Sequence, residues 1–167
     1  TVSYGSFTSS EKTVHLKNDT DKFASSNSEE NAIIVQDNEH FVYNLSVTNS
    51  TKKALESLVL IDNLPEPNDC GPFFEERSSD FKVSLADDEF VVKVEELDDD
   101  GNVIGTPTIL NANQYTLEYS TNPKTEFKDT DANNVDDDWE GKGVWSTDST
   151  NARAIRLKVN DSAGTLI

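Results

Sequence analysis

Residues 41–48 read FVYNLSVT, in which apolar side chains at 41, 43, 45 and 47 alternate with Val42 and three polar residues. A period of two is the pattern of a β-strand that buries one face. The same alternation recurs along the chain at 81–85, 115–119 and 155–159, and weaker strand patterns occur at 13–17, 32–36, 58–62 and 143–146. The chain is therefore predicted to be built from short strands.

The pentapeptide Asp-Asp-Asp-Gly-Asn at 98–102 separates two β-rich runs, 90–97 and 103–110. Asp-Gly between such runs predicts a β-hairpin. No segment has a convincing helical period. About ten short strands with polar turns predict an all-β, antiparallel sandwich or barrel. One face of each strand is expected to carry the core and the other, as at Arg156 and Lys158, the charged residues.

The chain has 167 residues and a formal net charge of −18, from 14 Lys and Arg against 32 Asp and Glu. This charge disfavours nucleic acid and anionic membrane surfaces as partners. No apolar run approaches the length of a membrane span, so no membrane insertion is expected. The single cysteine, Cys70, excludes an internal disulfide and a cysteine-based zinc site.

Methionine is absent throughout, position 1 included, which indicates a processed product or an excised fragment. The domain prediction is a single β-sandwich over residues 1–167, excised from a longer protein. Residues 1–31 are rich in Ser, Thr and Asn and are expected to form a less ordered extension. Residues 121–142 are expected to be a long polar connection, which in a compact domain is usually functional or mobile.

Residues 37–65 read DNEHFVYNLSVTN, then a short polar break, then LVLIDNLP. This segment resembles the repeat domains of Gram-positive cell-wall-anchored adhesins and pilus-like stalks. In those repeats a Tyr-containing strand ending in Thr-Asn precedes an apolar strand ending in Asp-x-Leu-Pro. Asn49 would turn the chain, and Pro65 would end the second strand at a sheet edge.

The resemblance implies an extracellular immunoglobulin-like β-sandwich, attached to the cell surface or cell wall, with a spacer or adhesive role. Its partners would be neighbouring domains of the same chain and a host or glycan ligand.

The densest acidic segment, 129–140, has the spacing of a twelve-residue calcium loop. Oxygen donors fall at positions 1, 3, 5, 9 and 12, with a backbone carbonyl at position 7. The predicted ligands of Ca²⁺ are Asp129, Asp131, Asn133, Val135, Asp137 and Glu140. Position 6 is Asn134 instead of glycine, and Asn tolerates the required turn better than most residues. The alternative is a solvated acidic loop.

Trp139 and Trp145 lie in or just after this loop. Exposed tryptophans beside bound calcium would suit stacking on a sugar ring, which makes a calcium-dependent carbohydrate-binding module the alternative function. Tryptophan among strands is more often part of the core or covers a sheet end.

Stalk domains of the family that the chain resembles often carry an intramolecular isopeptide bond. The bond needs a lysine amine, an Asn or Asp side chain and a nearby buried acid. Lys17 after an early strand and Asn160 at a late strand form the candidate pair, with Asp62 or Glu118 as the acid. The alternative is an ordinary surface lysine and a turn asparagine.

Paired carboxylates could support glycoside hydrolysis, but no motif selects two of the many acids. His15 and His40 have no Ser or Cys partner motif, and no nucleophile elbow or phosphate-binding loop occurs. The sequence therefore predicts a non-enzymatic structural or adhesive module.

Overall fold

The computed structural model describes residues 7–25, 33–49, 55, 57–67, 69, 77, 79–86, 90–121, 127–128, 138–139 and 144–160. Within these residues the backbone forms antiparallel strands and no helix, which confirms the all-β prediction. Eight strands have five or more residues: β1 (Phe7–Leu16), β2 (Asp19–Ser25), β3 (Phe41–Asn49), β4 (Ser57–Asn63), β5 (Lys93–Leu97), β6 (Val103–Ile109), β7 (Tyr115–Ser120) and β11 (Ala154–Asn160). Three have two residues: β8 (Phe127–Lys128), β9 (Asp138–Trp139) and β10 (Trp145–Ser146).

The chain divides into two compact units, an N-terminal unit of residues 1–54 and a C-terminal unit of residues 55–167. The first contains a sheet of order β2-β1-β3. The second contains a sheet of order β10-β7-β11-β4, the hairpin β5-β6 and the pair β8-β9. The single domain over residues 1–167 stays a prediction.

The sheet of the N-terminal unit places alternate apolar side chains on one face. Val14 pairs with Tyr43 and Leu16 with Phe41, so all four share that face. The rings of Phe41 and Tyr43 meet edge to face at 5.0 Å, and Lys12 Nζ lies 4.0 Å from the centre of the Tyr43 ring. These contacts explain why the alternation at 41–48 forms a strand.

The described residues that form a buried apolar core all belong to the C-terminal unit: Leu64, Leu110, Ala152, Ala154 and Val159. β11 is central to the sheet there, because it pairs with β4 on one side and β7 on the other. After β4 ends, the chain stays attached to the sheet, since the Leu64 N–H donates to the Arg153 carbonyl at 2.8 Å. The described residues contain no helix that could cross a membrane.

The predicted hairpin is confirmed as β5-β6, with its turn at 98–102. The Asp98 carboxylate accepts the N–H groups of Asn102 at 2.8 Å and Asp100 at 2.9 Å, and Gly101 has the positive φ that this turn requires, 84°. Bonds from the backbone and the side chain of Asn102 are the main reasons that the pKa of Asp98 is lowered.

Three local expectations differ from the structure. Residues 81–86 form no strand, although the Val83 N–H donates to the Pro65 carbonyl at 2.9 Å, because no strand among the described residues pairs with them. Conversely, residues 7–25, expected within a less ordered extension, form β1 and β2 around a turn at Lys17 and Asn18. The weak strand pattern at 32–36 is irregular over residues 33–36.

Candidate functional site

An ion-pair cluster lies on one face of the β10-β7-β11-β4 sheet. We define the Glu118 cluster as Glu118 on β7, Arg156 and Lys158 on β11, and Trp145 on β10. Glu118 and Arg156 are directly opposite each other, and Lys158, two residues further along β11, shares their face. The alternation of β7 and β11 thus brings one acid and two bases together across a strand pair.

A single oxygen of Glu118 receives both cations. Arg156 Nε donates a hydrogen bond to Glu118 Oε2 at 2.9 Å, and Arg156 Nη2 and Lys158 Nζ form ion pairs with the same oxygen at 2.9 Å and 2.8 Å. The Arg156 side chain is 7% exposed, whereas that of Lys158 is 35% exposed. The arginine pair is therefore the part of the cluster that is shielded from solvent and salt.

The guanidinium of Arg156 also stacks on Trp145, with its central carbon 4.3 Å from the ring centre. A cation over an indole ring is favourable, and more so where water is excluded. Trp145 is half-buried, and its Nε1 is buried without a hydrogen-bond partner in the described structure. Arg156 is thus held between the carboxylate of Glu118 and the ring of Trp145.

The cluster keeps Glu118 ionised. Partial burial would raise the pKa of Glu118, but the hydrogen bond from Lys158 and the charge of Arg156 outweigh it and lower the pKa below its ordinary value. A carboxylate that is neutralised by two cations and resists protonation is poorly suited to donating a proton at neutral pH. The arrangement suits a non-covalent link between β7 and β11.

This cluster corrects the sequence-based picture of the sheet, in which β11 directs its charged residues to solvent. Arg156 is buried, as are Ala154 and Ser120 on the same face. On the opposite face Val159 is buried, and Ile155 and Leu157 are half-buried. A charge is tolerated there because its hydrogen bonds and its counter-ion are supplied by neighbours in the sheet.

A second polar cluster fixes the chain that follows β4. The Asp69 side chain is 5% exposed and accepts a hydrogen bond from Ser79 Oγ at 3.0 Å, while Arg77 Nε lies 3.4 Å away. Arg77 Nη1 donates to the Asn63 carbonyl at 3.0 Å. Nearby, Arg153 and Glu66 form an ion pair. These contacts tie the segment to the end of β4.

The predicted calcium ligands Asp129, Asp131, Asn133, Val135, Asp137 and Glu140 lie outside the described residues. The structure does describe the strands around them: Phe127 pairs with Trp139 and Lys128 with Asp138. Among the described residues, no group of three or more His, Cys, Asp and Glu side chains is placed to hold a metal ion. The calcium site stays a prediction.

The two tryptophans predicted to stack on sugars have different outcomes. The side chain of Trp139 lies outside the described part of the structure. Trp145 is in place but has one ring face occupied by Arg156, which competes with a sugar for that face. Stacking on glycans stays a prediction.

The predicted isopeptide residues lie in different units. Lys17 follows β1, donates its N–H to the His40 carbonyl at 3.1 Å and lines a cleft of about 410 Å³ together with Asp19 and Glu39. Asn160 ends β11, and its side chain lies outside the described residues. β1 is flanked by β2 and β3, and β11 by β4 and β7, so the two strands are not sheet neighbours. The cross-link stays a prediction.

Sequence reasoning missed the partners of Glu118, although it named this residue as a candidate acid. The signal was present, because an acid at 118 and bases at 156 and 158 occupy the polar positions of two alternating strands. What the sequence lacked was the pairing of β7 with β11 in the register that sets 118 opposite 156.

The chain matches no protein-family model, no curated protein and no solved structure. Its resemblance to surface-protein repeats therefore rests on residues 37–65 and on the fold class.

Proposed function

We propose that this chain is a non-enzymatic structural or adhesive module of a bacterial cell-surface protein, located outside the cell. Three features support the proposal. The two strands of the resembling segment correspond to β3 and β4, and β3 ends at Asn49. β4 lies at the edge of its sheet, before Pro65. The finer architecture, an immunoglobulin-like sandwich of about ten strands, is part of the same proposal.

The strongest support for the proposal is that the chain enters and leaves the sheet of the C-terminal unit at the same end. Ser57, the first residue of β4, pairs with Asn160, the last residue of β11. Entry and exit therefore lie side by side at one end of the β4-β11 pair. The rest of the sheet extends away from this point, as expected of a module displayed beside the path of the chain.

The same geometry supports the display of a surface more than the bearing of tension. A load applied through Ser57 and Asn160 separates the β4-β11 pairs one after another, from this end towards Asn63 and Ala154. Because each step breaks only one or two hydrogen bonds, this sheet opens more easily than one loaded along its strands. The geometry supports an adhesive, displayed role for the C-terminal unit more than a tension-bearing one.

Single-molecule pulling on the full chain tests this role. With handles at the two chain ends, the C-terminal unit is expected to open at lower force than with handles at residues 67 and 160. The second pair of handles loads β4 and β11 along their length, so their hydrogen bonds must break together. Equal opening forces in the two geometries would refute the displayed role and support a tension-bearing spacer.

Calcium bound by residues 129–140, and an isopeptide bond between Lys17 and Asn160, are proposed as locks that would add stability to this module. The partners that the proposal implies are neighbouring domains of the same chain and a host or glycan ligand. Nucleic acid is disfavoured by the net charge of −18.

The alternative function, a calcium-dependent carbohydrate-binding module, depends on Trp139 and Trp145. The contact of Arg156 with the Trp145 ring weighs against it. A glycan array probed with the full chain in calcium distinguishes the two functions. Sugar binding that is lost in Trp145→Ala would favour the carbohydrate-binding module.

A further inference from the structure

The outer edge of β5 is open. In the part of the chain that the structure describes, β5 pairs with β6 alone. The Val92 carbonyl accepts the Leu110 N–H, and the Asp98 N–H donates to the Asn102 carbonyl, both at 2.9 Å. Because backbone groups alternate in direction along a strand, even-numbered residues face β6. The outward N–H and C=O groups belong to Val91, Lys93, Glu95 and Leu97.

The side chains of these four residues share one exposed face of the hairpin. Val91 is 61% exposed and Leu97 is 37% exposed. Between them, Lys93 Nζ and Glu95 Oε1 form an ion pair at 2.7 Å in which the lysine side chain is 58% exposed. The order along the edge is therefore apolar, basic, acidic, apolar.

In the opposite direction the same edge reads apolar, acidic, basic, apolar. Two copies of the edge placed antiparallel therefore set opposite charges against each other and apolar residues against apolar residues. In an antiparallel pair centred on Val94, Lys93 stands opposite the partner's Glu95, and Val91 stands opposite the partner's Leu97. The same register brings the outward backbone groups of one copy opposite those of the other. Opposite charges and apolar residues in direct cross-strand positions stabilise a sheet.

We propose that β5 pairs with β5 of a second copy of this chain, which forms a continuous four-stranded antiparallel sheet around a twofold axis. A twofold interface must use the same patch on both copies, and the sequence of this edge meets that requirement. The proposal concerns an interaction surface and does not depend on where the protein is located.

The other edge of the hairpin is unsuited to such pairing. Gly105, Thr106 and Pro107 all lie between the pairs Ile104–Glu96 and Thr108–Val94, so β6 bulges there. Gly105 has a φ of 74°, and Pro107 has no N–H to donate. A proline and a bulge together break the regular ladder that an added strand would need.

Charge reversal tests the proposed pairing, with the mass of the full chain measured by sedimentation or light scattering. About 0.15 M salt limits repulsion between the acidic chains to about 8 Å. Lys93→Glu and Glu95→Lys each place two pairs of like charges across the axis, so each should weaken the dimer by about 10- to 100-fold. The double variant restores opposite charges and should restore the dimer.

Two features of this experiment distinguish the loss of β5 pairing from a general effect of net charge on association. Lys93→Glu makes the chain two charges more negative and Glu95→Lys two charges less negative, so general repulsion predicts opposite effects, whereas pairing predicts that both weaken the dimer. Glu96→Lys is the matched control, because it changes charge like Glu95→Lys but stands opposite the partner's Val92. It should leave the dimer intact.

Amide hydrogen exchange provides a test without variants. The N–H groups of Lys93 and Glu95 should exchange more slowly as protein concentration rises, whereas the N–H of Val94, already bonded to β6, should not change. The proposal is overturned if the unmodified chain remains a monomer up to about 1 mM, where a dimer of millimolar affinity would be half formed. It is equally overturned if either reversal leaves the dimer unchanged or the double variant fails to restore it.

Discussion

Replacing Glu118 by glutamine should destabilise the C-terminal unit by about 2 kcal/mol. Arg156 makes one hydrogen bond to Glu118 Oε2, from Nε at 2.9 Å, and an ion pair with the same oxygen, from Nη2 at 2.9 Å. A hydrogen bond to a charged group contributes about 1.5–3 kcal/mol, roughly twice a neutral one. Glutamine keeps an acceptor but loses the charge, so about half of this contribution is lost. The half-exposed Lys158 pair adds at most about 1 kcal/mol.

Alanine at the same position should cost more, about 3–4 kcal/mol, because it removes the counter-ion of a buried arginine. Urea unfolding followed by tryptophan fluorescence measures both variants, since Trp145 contacts Arg156. Glu96→Gln, on the exposed strand β5, is the matched control and should stay within about 0.5 kcal/mol of the unmodified chain. A Glu118→Gln effect no larger than this control would refute the role assigned to the cluster.

The pH dependence supplies a second check on Glu118. Folding lowers the pKa of Glu118 below its ordinary value of 4.5, so the folded state favours the ionised form. The contribution is therefore fully present above pH 4.5 and is lost as the pH falls through the lowered pKa. The stability difference between the unmodified chain and Glu118→Gln should shrink in that range. A difference that is constant from pH 7 to pH 3 would contradict the assignment.

Three further predictions concern other parts of the chain. Asp69→Ala should lower the unfolding free energy by about 2 kcal/mol in the same urea assay, because Arg77 and Ser79 lose a buried acceptor. An unchanged urea midpoint would argue that Asp69 does not hold the segment after β4 in place. Calcium at about 100 times its dissociation constant should add about 2.7 kcal/mol of stability. Glu140→Gln should remove this effect, and an unchanged melting temperature with a chelator would exclude the site. The proposed isopeptide bond should reduce the intact mass by one ammonia, and an unmodified mass would rule it out.

The sequence predicted most of the strands but not which face of each strand is buried. Alternation at 41–48, 115–119 and 155–159 identified β3, β7 and β11, because a period of two is a local property of the chain. The buried face depends on what covers the sheet, which is a tertiary property. Arg156 was therefore assigned to solvent and is buried instead.

Strand pairing was the second property that the sequence alone did not predict. The pattern at 81–85 has the alternation of a strand, yet none of the strands that the structure describes pairs with it, and the segment is irregular. β2 was not predicted as a strand, and it forms because the turn at Lys17 and Asn18 folds it back on β1. The Asp98–Asn102 turn was predictable because the hydrogen bonds that hold it form between residues of the turn itself.

The bulge and proline of β6 also limit how large an assembly this hairpin can build. A sheet that can be extended at both edges polymerises without end, which is how fibres grow. In this hairpin the β5 edge can accept another strand, whereas the bulge and Pro107 prevent regular pairing at the β6 edge. A dimer joined through β5 therefore has, on each side, a β6 edge that cannot pair further. In the proposed pairing growth therefore stops at two copies, and a hairpin that lost both the proline and the bulge would be open to fibre formation.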